Sequence, residues 1–259
     1  MRKMFLMAAM LLAALSAEAQ TLTGRDIIQK VKDRPDGNDR YAEMQLTLVK
    51  KNGDKRERKM ISWAMDEGKD TKKIMFFTYP GDVKGTGFLT WDYDAAGKED
   101  DKWLYLPAMK KTRRISGASS KTDYFMGTDF TYADMGDRGL TKDTFNLLGE
   151  DTVDGNACWK VESVAKDKSE KTQRRIIWYR KDNYKVVKGE FYDRQNELAR
   201  VLTCSETIQI DGIWTTQKMF MENVKSGHST LLEMKNVRYN LPLDDKLFTV
   251  SAIERGSVR

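Results

Sequence analysis

The sequence predicts a mainly β protein: a long antiparallel sheet curled into a barrel or an open half-barrel. Three observations predict it. Apolar and polar residues alternate with period two along most of the chain, several alternating runs reach ten to thirteen residues, and turn-forming dipeptides separate them. Strands of that length extend to roughly 35 Å, about twice the ordinary strand. A twisted sheet of about ten or more such strands curls rather than staying flat. Periodicity alone leaves open whether the inside is a filled core or a cavity.

Each element follows in order. Arg2 and Lys3, the apolar run Met4 to Leu15 and the small-x-small triplet Ala17-Glu18-Ala19 have the form of a cleaved export signal, residues 1–19, with the mature chain beginning at Gln20. The apolar run is too short for a membrane span, and no cysteine near the cleavage site offers a thiol for lipidation. The expected product is soluble and periplasmic. Thr23 is a good N-cap and Asp26 the second half of a capping box, so Thr23 to Asp33 reads as one helix, on or near the concave face of the sheet. From Arg40 the period becomes two, with Met44, Leu46 and Leu48 on one side, and Asn52-Gly53 supplies a hairpin turn. Strands are expected at Lys55–Met65, Lys72–Tyr79, Gly87–Tyr93, Lys102–Leu106 and Lys111–Ile115. A second series is expected at Thr144–Asp151, Cys158–Ala165, Gln173–Arg180, Lys185–Asp193, Leu198–Ile210, Trp214–Asn223 and Thr230–Tyr239. No linker, low-complexity tract or repeat divides residues 20–259, which read as a single domain.

Composition bounds the function. The formal charge of +6 falls to about +5 once the signal is removed, and acidic residues are interspersed nearly everywhere, which with export argues against nucleic acid. Cys158 and Cys204 lie on predicted strands; they can form a disulfide if those strands are neighbours, or remain buried thiols. Neither has CxxC spacing, and the one histidine, His228, sits in the polar turn 226–229, so neither a zinc site nor a Ser-His-Asp triad is supported. Asp92, Asp94 and Glu99-Asp100-Asp101 read as solvated turns rather than a cation site or an acid–base pair. Gly81, Gly85 and Gly87 precede no helix and make no phosphate loop. No cofactor, metal or catalytic residue is expected.

The most informative stretch is Trp103 to Met135. An apolar strand stops at Pro107, Lys110, Lys111, Arg113 and Arg114 crowd together, and an aromatic segment follows. Apolar surface beside positive charge suits a ligand or surface with an apolar body and a polar or anionic head. Tyr124 to Met135 reads as a loop and one short helix, a mobile cover over the interior. The motifs Trp103-Leu104-Tyr105-Leu106-Pro107, Arg113-Arg114-Ile115-Ser116-Gly117 and Phe125 through Tyr132, with Gly85-Thr86-Gly87-Phe88-Leu89 before them, resemble the LolA-like outer-membrane lipoprotein-sorting proteins.

That resemblance implies a curved half-barrel with helices across its open face, a hydrophobic cavity for acyl chains, a periplasmic carrier or chaperone, and no enzyme activity. Its partners would be lipoprotein acyl chains or lipids, with an inner-membrane transporter and an outer-membrane acceptor. The alternative is a non-enzymatic interaction module serving a membrane transporter. Holding a sixteen-carbon chain out of a bilayer requires about 12 kcal/mol of replacement contacts, at about 0.8 kcal/mol per methylene. Candidate lining residues are Met44, Leu46, Trp63, Phe76, Phe88, Trp91, Leu104, Leu106, Phe125 and Phe130. Headgroup or partner candidates are Lys110, Lys111, Arg113 and Arg114. Methionines, of which the chain has 14, repack readily around irregular ligands.

Overall fold

Thirteen strands form one antiparallel sheet that does not close. The computed structural model describes residues 22–95, 97–117 and 122–256; the expected export signal at 1–19 and its cleavage before Gln20 lie outside the described residues. Helix α1 (Gly24–Asp33) precedes β1 (Asp39–Val49), β2 (Lys55–Glu67), β3 (Asp70–Tyr79), β4 (Gly87–Asp92), β5 (Asp101–Leu106) and β6 (Lys111–Arg114). The second series is β7 (Asp143–Val153), β8 (Asn156–Ala165), β9 (Arg174–Arg180), β10 (Val186–Tyr192), β11 (Leu198–Ile210), β12 (Ile213–Asn223) and β13 (His228–Tyr239). Helix α2 (Val250–Glu254) ends the chain's described part. The expected strands are all present, with ends shifted by at most two residues.

The strand order is β6-β5-β4-β3-β2-β1-β13-β12-β11-β10-β9-β8-β7. Two meanders thus grow outward from a central seam, where β1 pairs with β13 along Leu46↔Leu232 and Met44↔Met234. Residues of β4 and of β8–β9, Asp92 and Ser163 among them, line the same cavity. Nine strand spacings separate β4 from β8, about 43 Å on a flat sheet, so the sheet must curl to bring them together.

Alternation divides the two faces. On β3, Met75 and Phe77 point into the concavity with Met60, Phe88, Leu104, Met221 and Leu232, whereas Ile74 and Phe76 point outward with Leu89. The outer patch is covered by the C-terminal segment: Phe248, Ala252 and Ile253 are buried on it, and the Trp91 indole donates to the Phe248 carbonyl at 3.0 Å. Helix α1 lies on the concave side over β7–β9, burying Ile27 and Ile28 against Val161 and Tyr179. Its start carries the expected capping box, with Thr23 N and Oγ1 donating to Asp26 at 2.9 and 2.6 Å. Gly24 permits the close approach, since a Cβ there would stand 2.7 Å from the Asn146 backbone.

The cysteines are free and buried. They lie on β8 and β11, three strand spacings or about 14 Å apart, too far for the disulfide geometry. Burial pushes the Cys204 thiol up to about 12, which suppresses the thiolate.

Candidate functional site

The connection from β6 to β7 joins one edge of the sheet to the other, and its segment 123–135 packs into the concavity. This segment is not the expected short α-helix. Tyr124 bridges Thr131, Phe125 N donates to the Phe130 carbonyl at 2.7 Å, and a 3-10 turn spans Phe125–Gly127, making a small hairpin. Met126 and Gly127 adopt positive φ of 48° and 74°, which stops helical propagation. Phe125, Phe130 and Tyr132 are buried, and the Phe125 ring sits 5.1 Å from Phe88 and 6.0 Å from Phe77.

Polar bonds hold this cover to both halves of the sheet. Asp129 is the hub: its carboxylate meets His228 Nδ1 at 2.6 Å and accepts from Thr230 Oγ1 at 2.8 Å, while its carbonyl accepts from Arg200 Nη1 at 3.0 Å. Arg200, 2% exposed, also pairs with Asp134 and donates to Thr172 Oγ1 at 3.1 Å. From the other meander, buried Arg58 on β2 donates to the Met126 carbonyl and lies over the Phe77 ring. Burial, then the neighbouring Arg56, hold the Arg58 guanidinium below its ordinary pKa.

Beneath the cover is a cavity of about 300 Å³. Six methionines line it, Met44, Met60, Met75, Met135, Met219 and Met234, together with Leu46, Phe125, Phe130 and Leu232; Arg40, Ser62, Lys73, Asp134 and Asp137 edge it. A second cavity of about 600 Å³ lies beside it between α1, the ends of β3–β4 and β7–β9, and Asp137 is in the wall of both. This chamber is ionic. Arg138 donates to Asp143 at 2.6 Å and to Glu170 at 3.0 Å, Arg175 reaches Glu170 at 3.3 Å, and Lys73 pairs with Asp137 at 2.9 Å.

The predicted residues divide by face. Met44, Leu46, Phe88, Leu104, Leu106, Phe125 and Phe130 belong to the concave cluster. Trp63, Phe76 and Trp91 belong to the outer cluster beneath the C-terminal segment. Lys110, Lys111, Arg113 and Arg114 are exposed on and beside the edge strand β6. Arg114 turns outward and pairs with Asp101, whereas Lys111 and Arg113 share the side of Leu106 and Leu104, and Arg113 acts electrostatically on Tyr132. Met60, Met75, Met219 and Met234 could have been found by carrying the strand alternation through to one face. The Asp129 hub left no local signal, since its partners are about a hundred or seventy residues away. His228 is a member of that hub rather than a free loop residue. Among the described residues no group of three or more His, Cys, Asp or Glu is placed to hold a metal, and no helix is long and apolar enough to cross a membrane.

A family model described as an uncharacterized protein matches residues 69–255. The crystal structure of a DUF1329 family protein from Desulfovibrio piger is 32% identical over 89% of this chain and 97% of its own, with a TM-score of 0.85. That of a putative outer membrane lipoprotein-sorting protein domain from Vibrio parahaemolyticus is also 32% identical, over 90% of this chain and 98% of its own, with a TM-score of 0.84. The chain belongs to the LolA-like family. The fold of the LolA-like family extends to a LolA superfamily protein from Nitrosomonas europaea at 19% identity, covering 89% of this chain and 99% of its own, with a TM-score of 0.70. No curated protein matches the sequence. This LolA-like chain therefore has a carrier-like fold, with a methionine-lined cavity and an ionic chamber on its concave side.

Proposed function

We propose that this protein is a periplasmic carrier that shelters acyl chains of lipoproteins or lipids for transfer towards the outer membrane, without enzyme activity. The observation that carries the reading is the methionine-lined cavity of about 300 Å³ under a cover fastened by side-chain bonds. Its volume is at the lower end of the range for ligand pockets, about 300–1,000 Å³. A long chain therefore enters only by displacing cover residues such as Phe125 and Phe130, and unbranched methionines remould around what comes in at small rotameric cost. Burying the chain replaces about 0.8 kcal/mol per methylene otherwise lost on leaving a membrane. A donor in the inner membrane and an acceptor in the outer membrane complete the cycle.

The exposed basic edge favours a second, compatible reading as an accessory partner of a membrane transporter. Lys110, Lys111 and Arg113 stand beside Met109, which is 59% exposed, so the edge pairs positive charge with apolar surface. Mass spectrometry of protein purified gently from its native compartment tests the first reading. Stoichiometric acyl chains are expected; protein without extractable lipid that also fails to take up added acyl chains would refute it.

A further inference from the structure

The sheet is charged unevenly from end to end. Antiparallel pairing puts four connections at one end: 50–54 after β1, 80–86 after β3, 107–110 after β5 and 224–227 after β12. They adjoin in pairs. A Cβ at Gly227 would stand 3.2 Å from the Lys51 side chain, and one at Gly85 would stand 3.7 Å from Pro107. The Lys59 ammonium lies 5.9 Å from the centre of the Tyr79 ring. On this rim Lys51, Lys55, Arg56 and Lys59 crowd the first hairpin and its strand, and Lys84 follows on the second connection; all are exposed. With Lys110, Lys111 and Arg113 they make eight cations that have no ion-pair partner among the described residues. Lys50 is matched by Asp54, and Lys225 by Asp193 and Glu197, which leaves two unpaired acids beside the eight, Glu57 and Asp82.

At the opposite end of the same strands charge is matched. Lys72 meets Glu67 and Asp245 at 2.7 Å each, and Asp100 receives Lys102 at 3.1 Å and Lys142 at 2.9 Å. The basic rim also carries three exposed apolar side chains at separate points, Tyr79, Met109 and Val224. Scattered apolar tips among unpaired cations do not form the contiguous apolar patch of a protein interface. They suit a lipid surface, whose phosphates attract the cations while the tips enter the acyl boundary. The fastenings of the cover lie at this end as well: Arg58, between Glu57 and Lys59, holds the Met126 carbonyl, and His228, which opens β13, holds Asp129.

We infer that this rim docks on an anionic lipid bilayer and that cargo passes between membrane and cavity at that contact. The inference rests on the carrier reading and adds the surface of exchange, of which the β6 edge is one side and the β1–β2 hairpin the other.

The test is co-sedimentation of the mature chain with phosphatidylcholine vesicles, with and without phosphatidylglycerol, together with transfer of a pyrene-labelled fatty acid from loaded protein to each. Binding and fast transfer are expected only with phosphatidylglycerol and should fade as salt rises. The combined variant Lys51→Gln, Lys55→Gln, Lys59→Gln and Lys84→Gln should weaken binding roughly fivefold per residue and slow transfer. Its uptake of fatty acid in solution should be unchanged, which also reports a folded cavity. Met109→Ser should weaken binding without altering its salt dependence. Equal binding to both vesicles, or binding to neither while fatty acid is still taken up, overturns the docking inference and leaves the carrier reading standing. Failure to take up fatty acid overturns the carrier reading and the exchange with it. Binding confined to vesicles that contain inner-membrane protein assigns the rim to a protein partner and overturns the bilayer. Undiminished binding by the combined variant places docking elsewhere and overturns the rim.

Discussion

His228 Nδ1 lies 2.6 Å from Asp129 Oδ2, joining the first residue of β13 to the cover across 99 positions of sequence. The same carboxylate oxygen accepts from Thr230, whose hydroxyl in turn receives the Asp129 amide at 3.0 Å. Asp129 is 3% exposed, so its bonds are made with little competition from water.

Asp129→Ala is therefore expected to leave His228 and Thr230 without their partner and to destabilise the protein by about 1–3 kcal/mol. Amide exchange in 124–135 should accelerate more than exchange in the β1–β13 seam. Uniform acceleration across the sheet would show that Asp129 supports the whole fold and not the cover.

Acid should loosen the same segment. Burial raises the Asp134 carboxyl, but Arg200 and the bonds from Thr131 outweigh it and hold it below its ordinary 3.8. The folded form is thus the stronger acid, so its stabilisation is complete above about pH 4 and is lost as pH falls through the folded value. Urea denaturation between pH 6 and pH 3 should show a shallower acid decline for Asp134→Asn than for the unmodified protein. Parallel declines would remove Asp134 from the account.

The two faces should respond differently to truncation. Phe125→Ala and Trp91→Ala are each expected to destabilise by about 3–5 kcal/mol where the site cannot collapse. Only Phe125→Ala should also change the quantity or chain length of bound lipid, read by mass spectrometry, because Trp91 packs under the C-terminal segment on the outer face. Altered lipid in the Trp91 variant would contradict the division of faces.

Reversal of Lys110, Lys111 and Arg113 to Glu is expected to weaken binding to vesicles containing anionic lipid, with the unmodified interaction fading as salt rises. Stability should change by about 0.5 kcal/mol or less, since the three are exposed. Arg114 is left out because it already pairs with Asp101. Undiminished vesicle binding would leave the edge as ordinary solvated surface.

The strands were legible because period-two patterning and turn chemistry are local: β11 was expected at Leu198–Ile210 and is found there. Helix α1 was legible through Thr23 and Asp26. Which face a strand residue joins depends on what covers each side. Trp63, Phe76 and Trp91 have the composition of cavity residues, but the C-terminal segment folds back over them. The short helix expected in the cover failed because Phe130, Tyr132 and Met135 match a helical spacing, while Asp129 is turned towards β13 instead of capping a turn. Long-range partners overrode a local pattern.

The strand order has a kinetic consequence. The cover is tied to Arg58 on β2 across 68 residues, to Arg200 on β11 across 71 and to Thr230 on β13 across 101. These are contacts of high sequence separation: the hub at Asp129 needs β11 and β13 in place, and the Met126 carbonyl needs β2. The seal over the apolar trough is thus made of non-local contacts drawn from both meanders, the kind that slow folding relative to local ones.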